Sequence, residues 1–215
     1  MSDRGLFIVF EGIDGAGTTT QARLLEERIR REQPGRPVLV TAEPSAGPIG
    51  VQVRQVLKER VQAVTATGHR QAFDRRSLAL LFAADRIDHV KCEIEPLVAD
   101  GWVVISDRYV LSSLAYQGMD APPEWVAEIN RFAPAPDLQL FVDVPAVRAW
   151  ERIRSTRPGR EIFETPDTLT RVSEAYLAAL PLCFPDRTLT LPGDRPIPEV
   201  AALVWDAVSA LPRRL

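Results

Sequence analysis

Phe10-Glu-Gly12-Ile-Asp14-Gly15-Ala16-Gly17-Thr18-Thr19-Thr20-Gln21 is the stretch whose reading decides the fold. It follows the apolar run Leu6 to Phe10 and precedes Gln21 to Arg31, where Leu24, Leu25 and Ile29 recur at helical spacing; the chain there reads strand, turn, helix. The turn fits the pattern GxxxxGK[ST] except at the lysine position, which holds Thr18. Gly12, Gly15 and Gly17 let backbone amides turn inward around phosphate oxygens, and the helix start adds partial positive charge. Gly12, Asp14, Gly15, Ala16, Gly17, Thr18, Thr19 and Thr20 are the candidate phosphate contacts, with Thr19 at the hydroxyl position that would hold Mg²⁺.

Loss of the lysine removes a charge that would follow the β- and γ-phosphates, a change on the order of 10²- to 10³-fold in rate by analogy with deleting one oxyanion donor. Binding can survive it. Lysine occurs only at Lys58 and Lys91, so arginine supplies nearly all the positive charge and would be the expected replacement. Threonine is short and neutral instead. Either another cation serves the phosphates, or some or all transfer activity is lost.

Working outward, Val38 to Thr41 reads as a second buried strand, between Pro34-Gly35-Arg-Pro37 and the turn-rich stretch Pro44 to Gly50; a helix follows to about Glu59. Val61 to Arg70 reads as a loop or frayed helix end. From Phe73 to Val98 apolar residues at three- and four-residue steps predict a long helix that Pro96 ends or kinks. Trp102 to Ile105, Leu138 to Val142 and Thr188 to Leu191 complete five strands, and a last helix runs from about Pro198 to Ala210. Strands alternating with helices predict an α/β fold with a mainly parallel sheet covered on both faces.

The 215 residues, 46% of them hydrophobic, suit one well-cored domain over 1–215. A net charge of −3 gives no global electrostatic reason to bind nucleic acid or a membrane surface, so any polyphosphate site must be built locally. The run Leu6 to Phe10 is too short for a signal peptide or a spanning helix, which predicts a cytosolic (cytoplasmic) protein. Cys92 and Cys183 form no metal or redox pattern and read as two buried thiols. His69 and His89 have no neighbouring carboxylate or cysteine pattern and read as surface residues without a role.

FEGIDGAGTTTQ (10–21), LLFAADR (80–86), SDRYVLSSLAYQG (106–118) and PDLQLFVDVP (136–145) stand in an order and spacing that resembles the thymidylate kinase family over nearly the whole chain. Many nucleotide-binding proteins share the loop; few share DRY-x-x-SS-x-AYQG. The resemblance implies a P-loop NTPase three-layer sandwich, a five-stranded parallel sheet flanked by helices, with a short arginine-rich lid at about 152–163. It implies transfer of the γ-phosphoryl of ATP to dTMP, with magnesium (Mg²⁺) and a homodimer. For the dTMP site it implies that Phe82 stacks on the base, Arg86 meets its carbonyl edge, and Ser113, Tyr116 and Gln117 contact sugar and base. Tyr116 would crowd a ribose 2′-hydroxyl.

The same resemblance gives Asp107 to the metal and Arg108 to the monophosphate; a plain ion pair between these neighbours is the competing account. Asp14 is the candidate for the sugar 3′-hydroxyl, with Arg108 as its partner. Thr41-Ala42-Glu43-Pro44-Ser45-Ala46-Gly47 is similar to the family's TREPGGT, but Ala42 stands where that motif has arginine and both glycines have changed. Glu43 is kept, for a place near the metal or an arginine, or for a capping or turn role. Arg152, Arg154, Arg157 and Arg160 cluster around Pro158-Gly159, and Arg157 and Arg160 are the expected catalytic pair. Asp194 and Arg195 could flank adenine by position only. Three readings stand: dTMP kinase, a non-catalytic or weakly active nucleotide-binding homologue, and a kinase for another pyrimidine deoxynucleotide.

Overall fold

Five strands, the central three of them apolar and buried on both faces, pair into one parallel sheet. The computed structural model describes residues 4–156 and 165–211. In chain order the sheet strands are β1 (Leu6–Glu11), β2 (Val38–Ala42), β5 (Val103–Asp107), β6 (Leu138–Asp143) and β7 (Thr188–Pro192). Their spatial order is β2-β5-β1-β6-β7, with Ile8 opposite Ile105 on one side of β1 and Leu138 on the other. Ile8, Val9 and Phe10 of β1 and Val104 and Ile105 of β5 are fully buried. Helices flank the sheet: α1 (Thr18–Glu32) packs on β1, β2 and β5 and on α9 (Ile197–Ser209), while α5 (Val110–Tyr116) and α7 (Ala146–Thr156) pack on α8 (Pro166–Ala179).

The order places the functional turn. The chain leaves β1 through α1 to reach β2, then returns to fill the gap with β5, and crosses to the other side of β1 only at β6. Connections therefore diverge around the carboxyl end of β1, the switch point at which open α/β sheets bind ligands.

Several segments depart from expectation. Residues 61–71 are not a plain loop: β3 (Ala63–Val64) and β4 (Arg70–Gln71) form a short antiparallel hairpin. Two-residue strands give too little alternation to read. Pro96 neither ends nor visibly breaks the long helix, because α3 (Arg75–His89) passes into a π turn (Val90–Ile94) that relaxes the hydrogen-bond ladder just before α4 (Glu95–Ala99), where proline falls in the first turn. The helix α5 within the DRY segment, only a turn or two long, carries no sequence period of its own, and α6 (Pro123–Ile129) begins behind paired prolines. Cys183 is buried as expected; Cys92 is exposed, on the outer side of the π turn. His69 is exposed, but His89 is buried, a correction taken up below. Arg152 and Arg154 belong to helix α7 rather than to a separate lid, and the expected pair Arg157 and Arg160 lies outside the described residues.

Ile105→Ala should lower unfolding free energy by about 2–5 kcal/mol, since a fully buried side chain at the sheet centre leaves a cavity. Leu189→Ala, at a half-exposed position of edge strand β7, should change it by less than about 0.5 kcal/mol in the same urea titration.

Candidate active site

Glycine makes the turn after β1 possible. Gly15 and Gly17 have φ of 82° and 96°, and a Cβ on Gly15 would lie 2.5 Å from the Ala149 carbonyl oxygen of α7. Gly17 caps α1 with no side-chain bond, so the first amides of that helix are left for a ligand. Thr18 is buried, and its Cγ2 would be 3.3 Å from a Cβ built on Gly12; it fills the inside of the turn and cannot reach over it. Ile13 to Gln21 line an open cleft of about 900 Å³, whose far wall carries Arg148 and Arg152 from α7 and Asp194 and Arg195 after β7. Arg152 comes nearest the loop, donating from Nη1 to Ala16 O at 3.3 Å and from Nη2 to Gly193 O at 2.9 Å.

The last residue of β1 organises the next layer. Glu11 is fully buried, and its Oε1 accepts from the amides of Tyr109 (2.9 Å) and Ser112 (3.2 Å), which are the cap and third residues of α5. A carboxylate from another strand thus does what a capping box does locally. Its Oε2 accepts from the Ser112 hydroxyl at 2.5 Å and from Tyr176. Burial outweighs these bonds and the nearby arginines and raises the Glu11 pKa from 4.5 to about 7.

Asp107 and Arg108 follow directly from this packing. Asp107 ends β5 at the sheet edge, and Thr19 donates its hydroxyl to Asp107 Oδ2. Arg108 takes φ of 79°, a region non-glycine residues rarely adopt. Its amide donates to Phe10 O at 2.8 Å, and its carbonyl accepts from Ser106 Oγ at 2.8 Å, so the strain is held from both neighbouring strands. The guanidinium pairs with Asp14 Oδ1 at 2.8 Å, donates to Tyr176 Oη at 3.1 Å and lies over the Tyr116 ring. Tyr116 donates to Asp14 Oδ2 at 2.9 Å. Arg108 and Asp107 are therefore not each other's ion pair; Arg108 faces Asp14 of the loop after β1, and Asp107 faces Thr19 in the first turn of α1.

Behind this pair lies a second, smaller cavity of about 230 Å³. Phe82, Arg86, Ser113, Tyr116, Gln117 and Glu43 line it, and Asp14 and Arg108 line both this cavity and the phosphate cleft. Arg86 is fully buried, with its Nε donating to Glu43 Oε2 (2.8 Å), Nη1 to Ser113 Oγ (3.1 Å) and Asn130 Oδ1, and Nη2 to Tyr109 O (2.9 Å). Its donors already have protein acceptors, so it braces the cavity wall as well as lining it. Glu43 caps no helix; its carboxylate serves Arg86 and His89. The changed glycine at Ser45 is explained by Asp85, which accepts from the Ser45 amide (2.7 Å) and hydroxyl (2.6 Å) and pins the loop after β2 to α3.

For Mg²⁺ the donor set fits. Asp107 Oδ1 is buried with no hydrogen-bond partner, beside the Thr19 hydroxyl, and both are hard oxygens. Among the described residues no cluster of three or more His, Cys, Asp or Glu could hold a metal unaided, which suits an ion that keeps waters and phosphate oxygens as ligands.

Glu11, Asn130 and Tyr176 were not legible as site residues. A charged residue closing an apolar strand was the one available signal for Glu11. Tyr176 sits on the buried stripe Leu169, Val172, Tyr176, Ala179 of α8 and looks like any core aromatic.

A family model described as thymidylate kinase matches residues 10–204. The chain belongs to the thymidylate kinase family. Among relatives, a probable thymidylate kinase of Pyrobaculum calidifontis is 39% identical over 211 residues, 97% of this chain and all of the relative. One of Pyrococcus abyssi is 47% identical over 176 residues, covering 81% and 82%; one of Pyrococcus horikoshii is 41% identical over 177 residues, with the same coverage. Membership makes the chain a transferase of nucleotide biosynthesis by family.

Because the fold favours protonated Glu11, its contribution to stability is full below pH 4.5 and is lost as pH rises through about 7. Glu11→Gln keeps an oxygen for the two amides and removes the titration. The difference in unfolding free energy between native and variant should shift against the native protein by about 1–3 kcal/mol over that interval in urea titrations at stepped pH; a pH-independent difference would contradict the raised pKa.

Proposed function

We propose that this chain transfers the γ-phosphoryl group of ATP to dTMP, giving dTDP and ADP. One observation carries the reading: a small, aromatic-lined cavity and a glycine-built phosphate cleft share a wall made of Asp14 and Arg108, beside Asp107 and Thr19. Two nucleotides docked in the two chambers would meet tail to tail at that wall.

In this reading the backbone amides of the turn Gly12 to Thr20 and of the α1 start hold the donor phosphates. Phe82 stacks on the base, and Ser113 and Gln117 bond its edge, with Arg86 fixing Ser113. Asp14 takes the 3′-hydroxyl while Tyr116 crowds the 2′ position. Arg108 neutralises the monophosphate as it approaches ATP. Thr19 and Asp107 hold Mg²⁺, which supplies charge neutralisation across the donor phosphates when bound. The remaining work is positioning and electrostatics, without a covalent intermediate.

Thr18 leaves the donor phosphates short of a cation, and Arg152 is the arginine best suited to make up the deficit. Its guanidinium lies against the carbonyls of the same turn, on a helix that Gly15 allows to approach. Arg157 and Arg160, outside the described residues, are proposed as partners in transfer. The chain acts as one domain over 1–215, cytoplasmic and with no membrane or nucleic-acid partner; no described helix is long and apolar enough to cross a membrane. Exposed Val51, Leu80 and Ile87 on α2 (Pro48–Leu57) and α3 favour a homodimer.

A coupled assay with ATP and Mg²⁺ against a panel of nucleoside monophosphates tests the reading. dTMP should turn over fastest, Arg152→Ala should lower kcat by about 10²- to 10³-fold, and adding Thr18→Lys to that variant should recover at least about tenfold of it. Nucleotide binding without turnover of any acceptor would favour the non-catalytic homologue, which the missing cations at Thr18 and Ala42 make the second reading. Unchanged kcat in Arg152→Ala would remove that arginine from the mechanism.

A further inference from the structure

His89 is a buried histidine to which the reading above gives no task. It lies one helical turn beyond Arg86 on α3, with 3% of its surface exposed, and does not line the cavity. Its Nδ1 is 3.3 Å from Glu43 Oε1. The other oxygen of that carboxylate, Oε2, contacts the Arg86 guanidinium, at 2.8 Å from Nε and 2.6 Å from Nη2. On its far side His89 Nε2 is 2.9 Å from Glu93 Oε2 and 2.9 Å from Thr41 Oγ1, and the Thr41 hydroxyl donates to the same Glu93 oxygen. A continuous line of polar contacts therefore runs from Glu93 at the surface through His89 and Glu43 to Arg86, and from there to Ser113, Asn130 and the Tyr109 carbonyl.

We propose that His89 is a positioning residue for the acceptor base: it holds Glu43, which holds the Arg86 guanidinium, which sets Ser113 and the cavity wall. The proposal rests on reading the smaller cavity as the acceptor site. The chemistry of the ring requires its place in the chain. Both ring nitrogens face carboxylates, and a neutral imidazole has one N–H and one lone pair, so it can satisfy only one of them and must turn the lone pair toward the other. The imidazolium donates to both. The charged groups that face the ring are Glu43 from the loop after β2 and Glu93 from the π turn, with Arg86 beyond Glu43; β2 itself contributes the neutral Thr41 hydroxyl. With His89 protonated the side chains of His89, Glu43, Glu93 and Arg86 sum to zero charge; without the proton one net negative charge remains, and one of the two carboxylates loses its donor from the ring.

Burial works against the charged ring, but Glu43 and Glu93 outweigh it and raise the His89 pKa above its ordinary value. The sign follows. The bracing of Arg86 is complete at pH below the ordinary histidine range and weakens as pH rises through the raised value, so affinity for the base should fall on the alkaline side.

The test uses nucleosides, because they lack the phosphate whose own ionisation would confuse a pH series. Binding of thymidine, uridine, deoxycytidine and deoxyguanosine to the native protein is measured first by calorimetry, so an error in the base assignment appears as a different preferred nucleoside. The comparison of His89 variants is then made with whichever nucleoside binds best. From about pH 5.5 to about pH 8.5 its affinity for native protein should fall about tenfold more than its affinity for His89→Gln, which keeps one donor and cannot titrate; a slope shared by both proteins belongs to other groups, Glu11 among them. His89→Ala should bind about tenfold more weakly at the acid end, with ATP affinity at its native value. If His89→Ala is unfolded by circular dichroism, the steeper native profile beside the shallower one of His89→Gln carries the result. A His89 that only stabilises the fold would lower the melting temperature and leave nucleoside affinity, and its pH profile, the same in native and variant proteins; that outcome overturns the proposal.

Discussion

The buried carboxylate of Glu11 is the constraint on which the site depends. It ends the central strand, where the phosphate turn must begin, and it simultaneously caps α5, the helix that carries Ser112, Ser113 and Tyr116. A buried carboxyl group is costly unless it is well bonded, and here the bonds go to two amides of one helix and the hydroxyls of Ser112 and Tyr176. The phosphate turn and the acceptor cavity are thereby fixed to the same atoms. Arg108, held in an unfavourable backbone region between the β1 and β5 ends, is aimed by that junction into the space between them.

Cations have been redistributed around this frame. The loop position that would carry lysine is a threonine folded inside the turn, and the position after Thr41 that would carry arginine is an exposed alanine at the end of β2. Among the described residues, the positive charge that faces the phosphate cleft comes from Arg108 and from the arginines of α7 and the segment after β7. Arginine suits the change, since its planar fork bonds backbone carbonyls and phosphates from a distance that a short loop side chain cannot span.

The sheet was legible because strands buried on both faces are continuous apolar runs, and because the glycines of the turn between β1 and α1 have no other economical explanation. The DRY and AYQG segments were legible as a pattern, although α5 itself was not, being short and capped from a strand far away in sequence. What sequence reading missed was polar and internal. His89 looked like a solvated helix residue because one carboxylate partner, Glu43, comes from far along the chain, while Glu93, four residues on, stands at a spacing that reads equally as an exposed helix pair. The bonds that Arg86 makes inside the protein, to Glu43, Ser113, Asn130 and the Tyr109 carbonyl, were likewise not legible. Period and composition tell which face of a helix is buried, not which buried charges will find each other.

One ion pair, Asp14 with Arg108, supplies the described residues that line both chambers. Such a thin wall has a practical meaning for chemical design. A single compound that joins a flat pyrimidine-like ring to a polyanionic tail, with an acidic group in its linker at the height of Arg108, would fill both chambers at once. Its two halves would then bind with the effective concentration of a short tether rather than as separate molecules, and its fit would be governed by linker length across a single guanidinium.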